Sequence, residues 1–378
     1  MHTPNTALRF RALVGFLPAL LLFSACKPDK TPLVIPDTYD GAAFVSHTAA
    51  QAAVRSALTV LTDEMKKGRV QANTVSFSTL TQLYTSGAPS LSSLTSSYYR
   101  GRIEGSGGWL DNLAQASGNA YTPGAPAGSG GVFGGYLLDE HGLELEQMVE
   151  KGLFAAAMYN HAITLMQGPL TEATPDQLLS IFGAHPDFPN TTTAANTANP
   201  DKFMAQYAAR RDKSDGTGLY SQMEAALIKL QAAIAAGEDY GQERDEALQA
   251  YQRTWEKVCF ATVINYCHTT ISRLSATSPT DADRANAIHA YGEAVGFTHG
   301  WRTLPQEFRL ITDAQLDELL TLMNAPYDAA PASYKFLTDP VSELPKLTQV
   351  IGRLQTIYGF TNQEVEDFRE NWVSKQGR

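Results

Sequence analysis

His289 and Glu293 stand four residues apart, as H-x-x-x-E, in a run that reads as helix. Residues i and i+4 share one helix face, so an imidazole nitrogen and a carboxylate can converge there on one cation. A metal needs at least a third ligand, and His299, a turn or more beyond, is the candidate. The competing reading is a histidine hydrogen-bonded to a glutamate inside a helical bundle. His141 and Glu144 form a second pair, H-x-x-E, at the start of a long helical run, and Gln147, Glu150 and Lys151 follow it. Such dense polar groups either line a seam between helices or form a solvated first turn, where the helix dipole favours acids. Glu150-Lys151 and Glu256-Lys257 each sit among apolar residues. Buried charges are tolerated only when mutually satisfied, which gives these pairs a structural reading rather than a catalytic one.

The remaining enzyme templates are absent. There is no H-E-x-x-H, so the arrangement of two histidine ligands and a glutamate base is missing, as are a G-x-S-x-G elbow, a P-loop and a dinucleotide fingerprint. The stretch DKSDGTG, from Asp212 to Gly218, breaks the EF-hand spacing and reads as a surface turn. Trp109, Trp255, Trp301 and Trp372 are too scattered for a sugar platform and read as core. No residue is assigned a catalytic role.

The elements that position these groups read as helices separated by polar loops. Apolar residues recur at helical spacing over 49–67, 76–85, 109–117, 140–166, 219–236, 242–274, 281–297, 313–324, 342–358 and 362–374. The stretch 118–135 is rich in Gly, Pro and Ser and excludes helix, and 185–200 is a second long loop. Nothing reads as a hairpin or a βαβ unit, so the expected class is all-α. One internal echo points to a duplicated bundle: VEKGLFAAAMYNH (149–161) matches WEKVCFATVINYCH (255–268) with one residue inserted.

The N-terminus reads as an export signal. Arg9 and Arg11 precede an apolar core over 12–23, too short to span a bilayer, and Ser24-Ala25 lead into Cys26, as in a lipobox. The expected organisation is a signal peptide over 1–25, a lipid-bearing Cys26 opening a proline-rich tether over 26–40, and a helical domain over 41–378. Lys27 after the cysteine favours the outer membrane, with the domain on its periplasmic or cell-surface side. The formal charge of −10, with no Lys/Arg run, argues against nucleic acid as a partner. Cys259 and Cys267 would lie about 12 Å apart along one helix, too far for a disulfide, and read as buried thiols.

Several stretches carry a family resemblance. YLLDEHGLELEQMVEKGL (136–153), QAYQRTWEKVCFATVINY (249–266), HAYGEAVGF (289–297), LQTIYGFT (354–361) and the TYDG start resemble the imelysin-like helical lipoproteins of Gram-negative bacteria, in a branch of unknown function. The resemblance implies two helical bundles, membrane anchoring, and a non-catalytic binding or accessory role linked to iron, haem or other metal acquisition. It also implies an outer-membrane transporter as a partner and a metal ion, iron or zinc, as a cofactor. Two alternatives stand beside it: an imelysin-like metallopeptidase using one of the two His/Glu pairs, and a glycan-binding partner of an outer-membrane transporter. The chain departs from the branch at one motif. Where relatives carry His-His-Trp-Asp-Glu before a Phe-Gly, the chain has ATPDQL (173–178), which keeps only Asp176.

Overall fold

The periodic apolar runs fold as helices, and among the described residues the only sheet is one short hairpin. The computed structural model describes residues 30–124, 126 and 128–378; the expected signal peptide over 1–25 and the expected lipid-bearing Cys26 lie outside them. Helix starts coincide with side chains that can satisfy free backbone N–H groups. Thr280, Thr312 and Thr361 each accept from the amide three residues on, and Asp283, Gln315 and Glu364 reach back to complete capping boxes.

The helix Gly241–Leu274 is the centre of the molecule. It packs against Leu219–Ala236, Asp281–His299, Phe203–Arg211 and Pro340–Tyr358. From Val258 to Ile264 every residue is buried, as expected of a helix covered all round. Trp255 and Trp301 are fully buried nearby, and Cys259 and Cys267 are buried free thiols, both as the sequence implies. Residues 33–378 form one unit with a continuous apolar core.

Asp281–His299 also packs against Leu145–Leu153, and this contact has a specific cause. Gly292, Gly296 and Gly300 recur every four residues and so lie along one ridge. A Cβ on Gly296 would overlap the Gln147 carbonyl oxygen, and one on Gly300 would overlap that of Gly152. At Gly292 it would sit 3.3 Å from Glu144 Cβ. The two helices therefore touch backbone to backbone, which brings their long polar side chains within ion-pair reach.

The structure revises the expected helix over 140–166. It begins only at Leu145, because the Asp139 carboxylate accepts the amides of His141 and Leu143, at 2.9 and 2.8 Å, and Gly142 turns at φ +77°. Residues 139–143 are thereby held in a turn. After Leu153 the helix widens into a π segment, Phe154–Tyr159, before Asn160–Gln167 resumes. The Ala156 carbonyl accepts the Ser96 amide at 2.8 Å within this segment. The expectation of no hairpin also fails. Gly131–Phe133 pairs antiparallel with Tyr136–Leu138, and Gly134 and Gly135, both at positive φ, supply the two-residue turn.

Among the described residues three helices of seven or more residues have no counterpart in the sequence reading, Ser97–Ile103, Ala173–Phe182 and Phe203–Arg211, and neither do the single turns Phe44–His47, Leu91–Leu94 and Lys335–Thr338. The segment DKSDGTG is more than a surface turn, since Asp212 is fully buried and its carboxylate accepts the Tyr220 and Ser221 amides at the start of Leu219–Ala236. The end of the proline-rich segment is docked. Tyr39 is buried and donates to Asp176 at 2.7 Å, and the Asp40 backbone exchanges two hydrogen bonds with Gln231.

Gly296→Ala should destabilise the protein by about 1–3 kcal/mol in chemical denaturation, because the added methyl meets backbone that cannot yield. Gly352→Ala is the control, at a helical glycine with nothing within 4 Å of the added carbon, and it should be neutral or slightly stabilising. Equal effects at both positions would remove the glycine ridge from the account.

Candidate functional site

The helix Leu145–Leu153 presents different chemistry on two sides. One side joins a buried ionic seam, and the other borders a cavity.

The seam collects most of the expected polar residues. Glu144 is fully buried, which settles its surroundings against a solvated first turn. Its Oε2 lies 2.6 Å from His289 Nδ1, and its Oε1 accepts from Arg69 Nη2 at 2.8 Å. Arg69 also donates to Glu146, at 2.6 Å from Nε and 2.9 Å from Nη2. His289 Nε2 faces Glu293 Oε2 at 3.7 Å, so the H-x-x-x-E pair does share a helix face. Glu293 in turn lies 3.4 Å from Lys151 Nζ, and Lys151 pairs with Glu150 at 2.9 Å. Tyr136 of the hairpin closes the cluster from above. Its ring stacks on His289 at 4.2 Å, Arg69 lies 5.1 Å from the ring centroid, and its hydroxyl donates to Asn286. Arg69 is the residue that sequence reading missed, since it follows a helix end in KKGRV without any periodic signal.

Proton affinities in the seam follow from burial and neighbouring charge. Burial and the charge of Glu144 push Glu146 up to about 8. Burial draws His289 down, but the charge and hydrogen bond of Glu144, with the charge of Glu293, leave it raised overall. Burial also opposes the charge on Lys151, and Glu150, Tyr207 and Glu293 more than restore it. Gln147 Oε1 and Glu150 Oε2 are buried acceptors without a partner.

Three expectations are corrected. His141 and Glu144 do not share a helix face, because the Asp139 turn places both before the helix. His141 borders the cavity while Glu144 enters the seam. His299 does not join His289 and Glu293 as a third ligand. It is buried among Tyr98, Tyr99, Trp109 and Tyr327, and burial holds its imidazole down to about 3. Glu256 and Lys257 are not an ion pair. Glu256 accepts the Leu310 and Ile311 amides at 2.7 and 2.8 Å and the Tyr358 hydroxyl at 2.7 Å, fastening a loop and a helix. Lys257 lies over the Phe360 ring instead.

The seam does not fit a metal. Glu144 already holds Arg69 and His289, and Glu293 already holds Lys151 and His289, so each candidate ligand is engaged by a cation or a donor. Among the described residues no three His, Cys, Asp or Glu side chains are arranged to hold an ion.

The second side borders a cavity of about 670 Å³, within the range of small-molecule sites. Its walls come from Ser97–Ile103, the start of Trp109–Ala116, the 139–145 turn, Met148, His299 and the 325–331 loop. Trp109, His141 and His299 all line it. His141 Nδ1 and His299 Nδ1 are buried atoms with no hydrogen-bond partner. Neighbouring aromatic groups brace the wall, with Tyr98 stacked on Tyr327 at 4.3 Å and Arg302 4.2 Å from the Tyr327 centroid on the ring's other contact.

No protein-family model, no curated protein and no solved structure matches the chain.

The seam generates a pH dependence. Between about 4.5 and 8 the folded chain retains a proton on Glu146 that the unfolded chain releases, so stability falls as pH rises through that window. His289 acts in the same direction: its contribution is complete below 6.5 and is lost as pH rises through its raised value. Unfolding free energy measured from about pH 5 to about pH 8 should therefore decline, and Glu146→Gln should flatten the decline. A variant with the wild-type slope would contradict the assignment.

Proposed function

We propose that this chain is a non-catalytic binding or accessory protein whose ligand enters the cavity bordered by Trp109, His141 and His299. The observation that carries the reading is the contrast between two sites on one helix. The seam has each acid paired with a base and only Gln147 Oε1 and Glu150 Oε2 left over, whereas the cavity has volume, an aromatic wall and histidine nitrogens without partners. A metallopeptidase needs an open coordination position and a free base beside it. Neither His/Glu pair offers both, since Glu144 and Glu293 are already bound to cations and His141 has separated from Glu144. The binding reading is therefore favoured over the peptidase one.

The wider setting rests on the sequence. The lipobox-like ending at Cys26 supports an exported, lipid-anchored protein, and Lys27 supports the outer membrane. The resemblance to imelysin-like lipoproteins supports a two-bundle helical arrangement and a link to iron, haem or other metal acquisition, with a transporter as partner. In that setting the protein presents or delivers a small ligand near the membrane and does not transform it.

The test is a thermal-shift screen of small molecules on the wild-type protein beside Gly101→Trp. Gly101 lines the cavity at an exposed position where an added carbon meets nothing within 4 Å, so a large ring there fills the opening without straining the fold. Ligands that raise the melting temperature of the wild type should lose that effect in the variant. Stabilisation that survives Gly101→Trp unchanged would place binding elsewhere.

A further inference from the structure

The cavity walls carry a consistent imbalance. Four carboxylates line it, on Glu104, Asp139, Glu140 and Asp328, against one strong cation, Arg102. Arg102 is largely committed, its Nη2 donating to the Tyr327 carbonyl at 3.2 Å and its guanidinium lying over the Tyr98 and Trp109 rings, while its buried Nε has no hydrogen-bond partner. His299 adds no positive charge, because burial and the neighbouring Arg102 keep it neutral. His141 sits 3.4 Å from Glu140, which leaves the mouth acidic.

The spare hydrogen-bonding capacity leans the same way, with carboxylate oxygens outnumbering the one unpartnered guanidinium N–H, Arg102 Nε. Glu140 and Asp328 are exposed at the rim, and Glu104 uses one carboxylate oxygen on Ser92 and keeps the other. The lining histidines contribute unpartnered Nδ1 atoms, and that of His299 belongs to a side chain more than nine-tenths buried. An imidazole Nδ1 donates or accepts according to its tautomer, whereas an ionised carboxylate only accepts. A concave wall of one sign also concentrates ions of the opposite sign, and the chain's net charge of −10 adds to that field.

We propose that the cavity receives a small, donor-rich organic cation, a ligand bearing amine or guanidinium groups. The proposal rests on the binding reading above and narrows it. Ammonium and guanidinium groups supply several N–H donors in charge-assisted bonds to carboxylates. The wall around Trp109 offers an aromatic surface for the aliphatic or planar part of such a molecule. Haem fits poorly by the same logic, because its two carboxylates would face Glu104, Glu140 and Asp328 with only Arg102 to meet them.

Isothermal titration of the purified full chain in detergent tests this, with spermidine and arginine methyl ester as cations and haemin and citrate as anions. The cations should bind, weaken as salt is raised, and weaken about tenfold or more in the double variant Glu140→Gln/Asp328→Asn. Both replaced side chains are exposed, and an unchanged melting temperature verifies the fold of the variant. Cation binding unaffected by the double variant would overturn the location. Binding of haemin or citrate in place of the cations, lost in Gly101→Trp, would overturn the ligand class while leaving the binding function intact. Failure of all four probes would overturn the proposed ligand class, and the thermal-shift screen would then decide the binding function separately.

Discussion

Carboxylates crowded along two touching helices set the terms for the rest of this molecule. Glu144, Glu146 and Glu293 are buried and Glu150 keeps 14% of its side chain exposed, and an uncompensated carboxylate in the buried part would cost several kcal/mol after relaxation. Arg69, Lys151 and His289 supply the compensation, and the His289–Glu144 and Lys151–Glu293 pairs form because the two backbones are close enough for those side chains to meet. Gly292, Gly296 and Gly300 provide that closeness. The glycine ridge and the ionic seam therefore depend on each other. Without the glycines the cross-helix pairs would separate, and without Lys151 and His289 the glycines would bring together carboxylates that repel. A seam of this kind adds little net stability over an apolar one, yet it penalises every register in which a charge loses its partner.

Rigid placement of Leu145–Leu153 has a consequence on its opposite side. Leu145 and Met148 form part of the cavity wall, and the turn before them carries Asp139, Glu140 and His141. The seam holds the helix, the Asp139 turn directs His141 outward, and the end of the glycine-bearing helix delivers His299 into its aromatic surround. One pair of helices thus builds both a mutually paired ionic cluster and the wall of a site with unpartnered polar atoms. The separation explains how histidine and glutamate spacings that look alike in sequence come to serve different ends. His289 finishes inside a network, and His141 borders open volume.

Much of this was legible beforehand, because helical periodicity is a local property. The runs ending at Lys66, Thr85, Ala116, Ala236, Leu274 and Tyr358 were bounded to within a residue or two at their ends. For Gln147, Glu150 and Lys151 the sequence left a seam between helices and a solvated first turn both open, and it offered Glu144 as a metal ligand. What was hidden depended on turns and on distant partners. Asp139 stops the helix from starting at residue 140 through bonds that periodicity does not encode. The Gly134-Gly135 hairpin signal was present, but its strands are three residues each, too short to show alternation. Arg69 and Glu144 are separated by 75 positions, so nothing local links them. Glu256 and Lys257 repeat the Glu150-Lys151 spacing and still diverge, because the loop at Leu310 and Ile311 offers Glu256 two amides.

The interdependence of the seam is measured most directly by a double-mutant cycle on Arg69→Met and Glu144→Gln, read by equilibrium denaturation. Each single replacement strands a buried partner and should lose about 3–5 kcal/mol. The double variant should lose less than the sum by more than about 1 kcal/mol, because the second change removes a charge that the first left unpaired. Losses that simply add, or single variants within about 0.5 kcal/mol of wild type, would contradict a seam on which the fold depends.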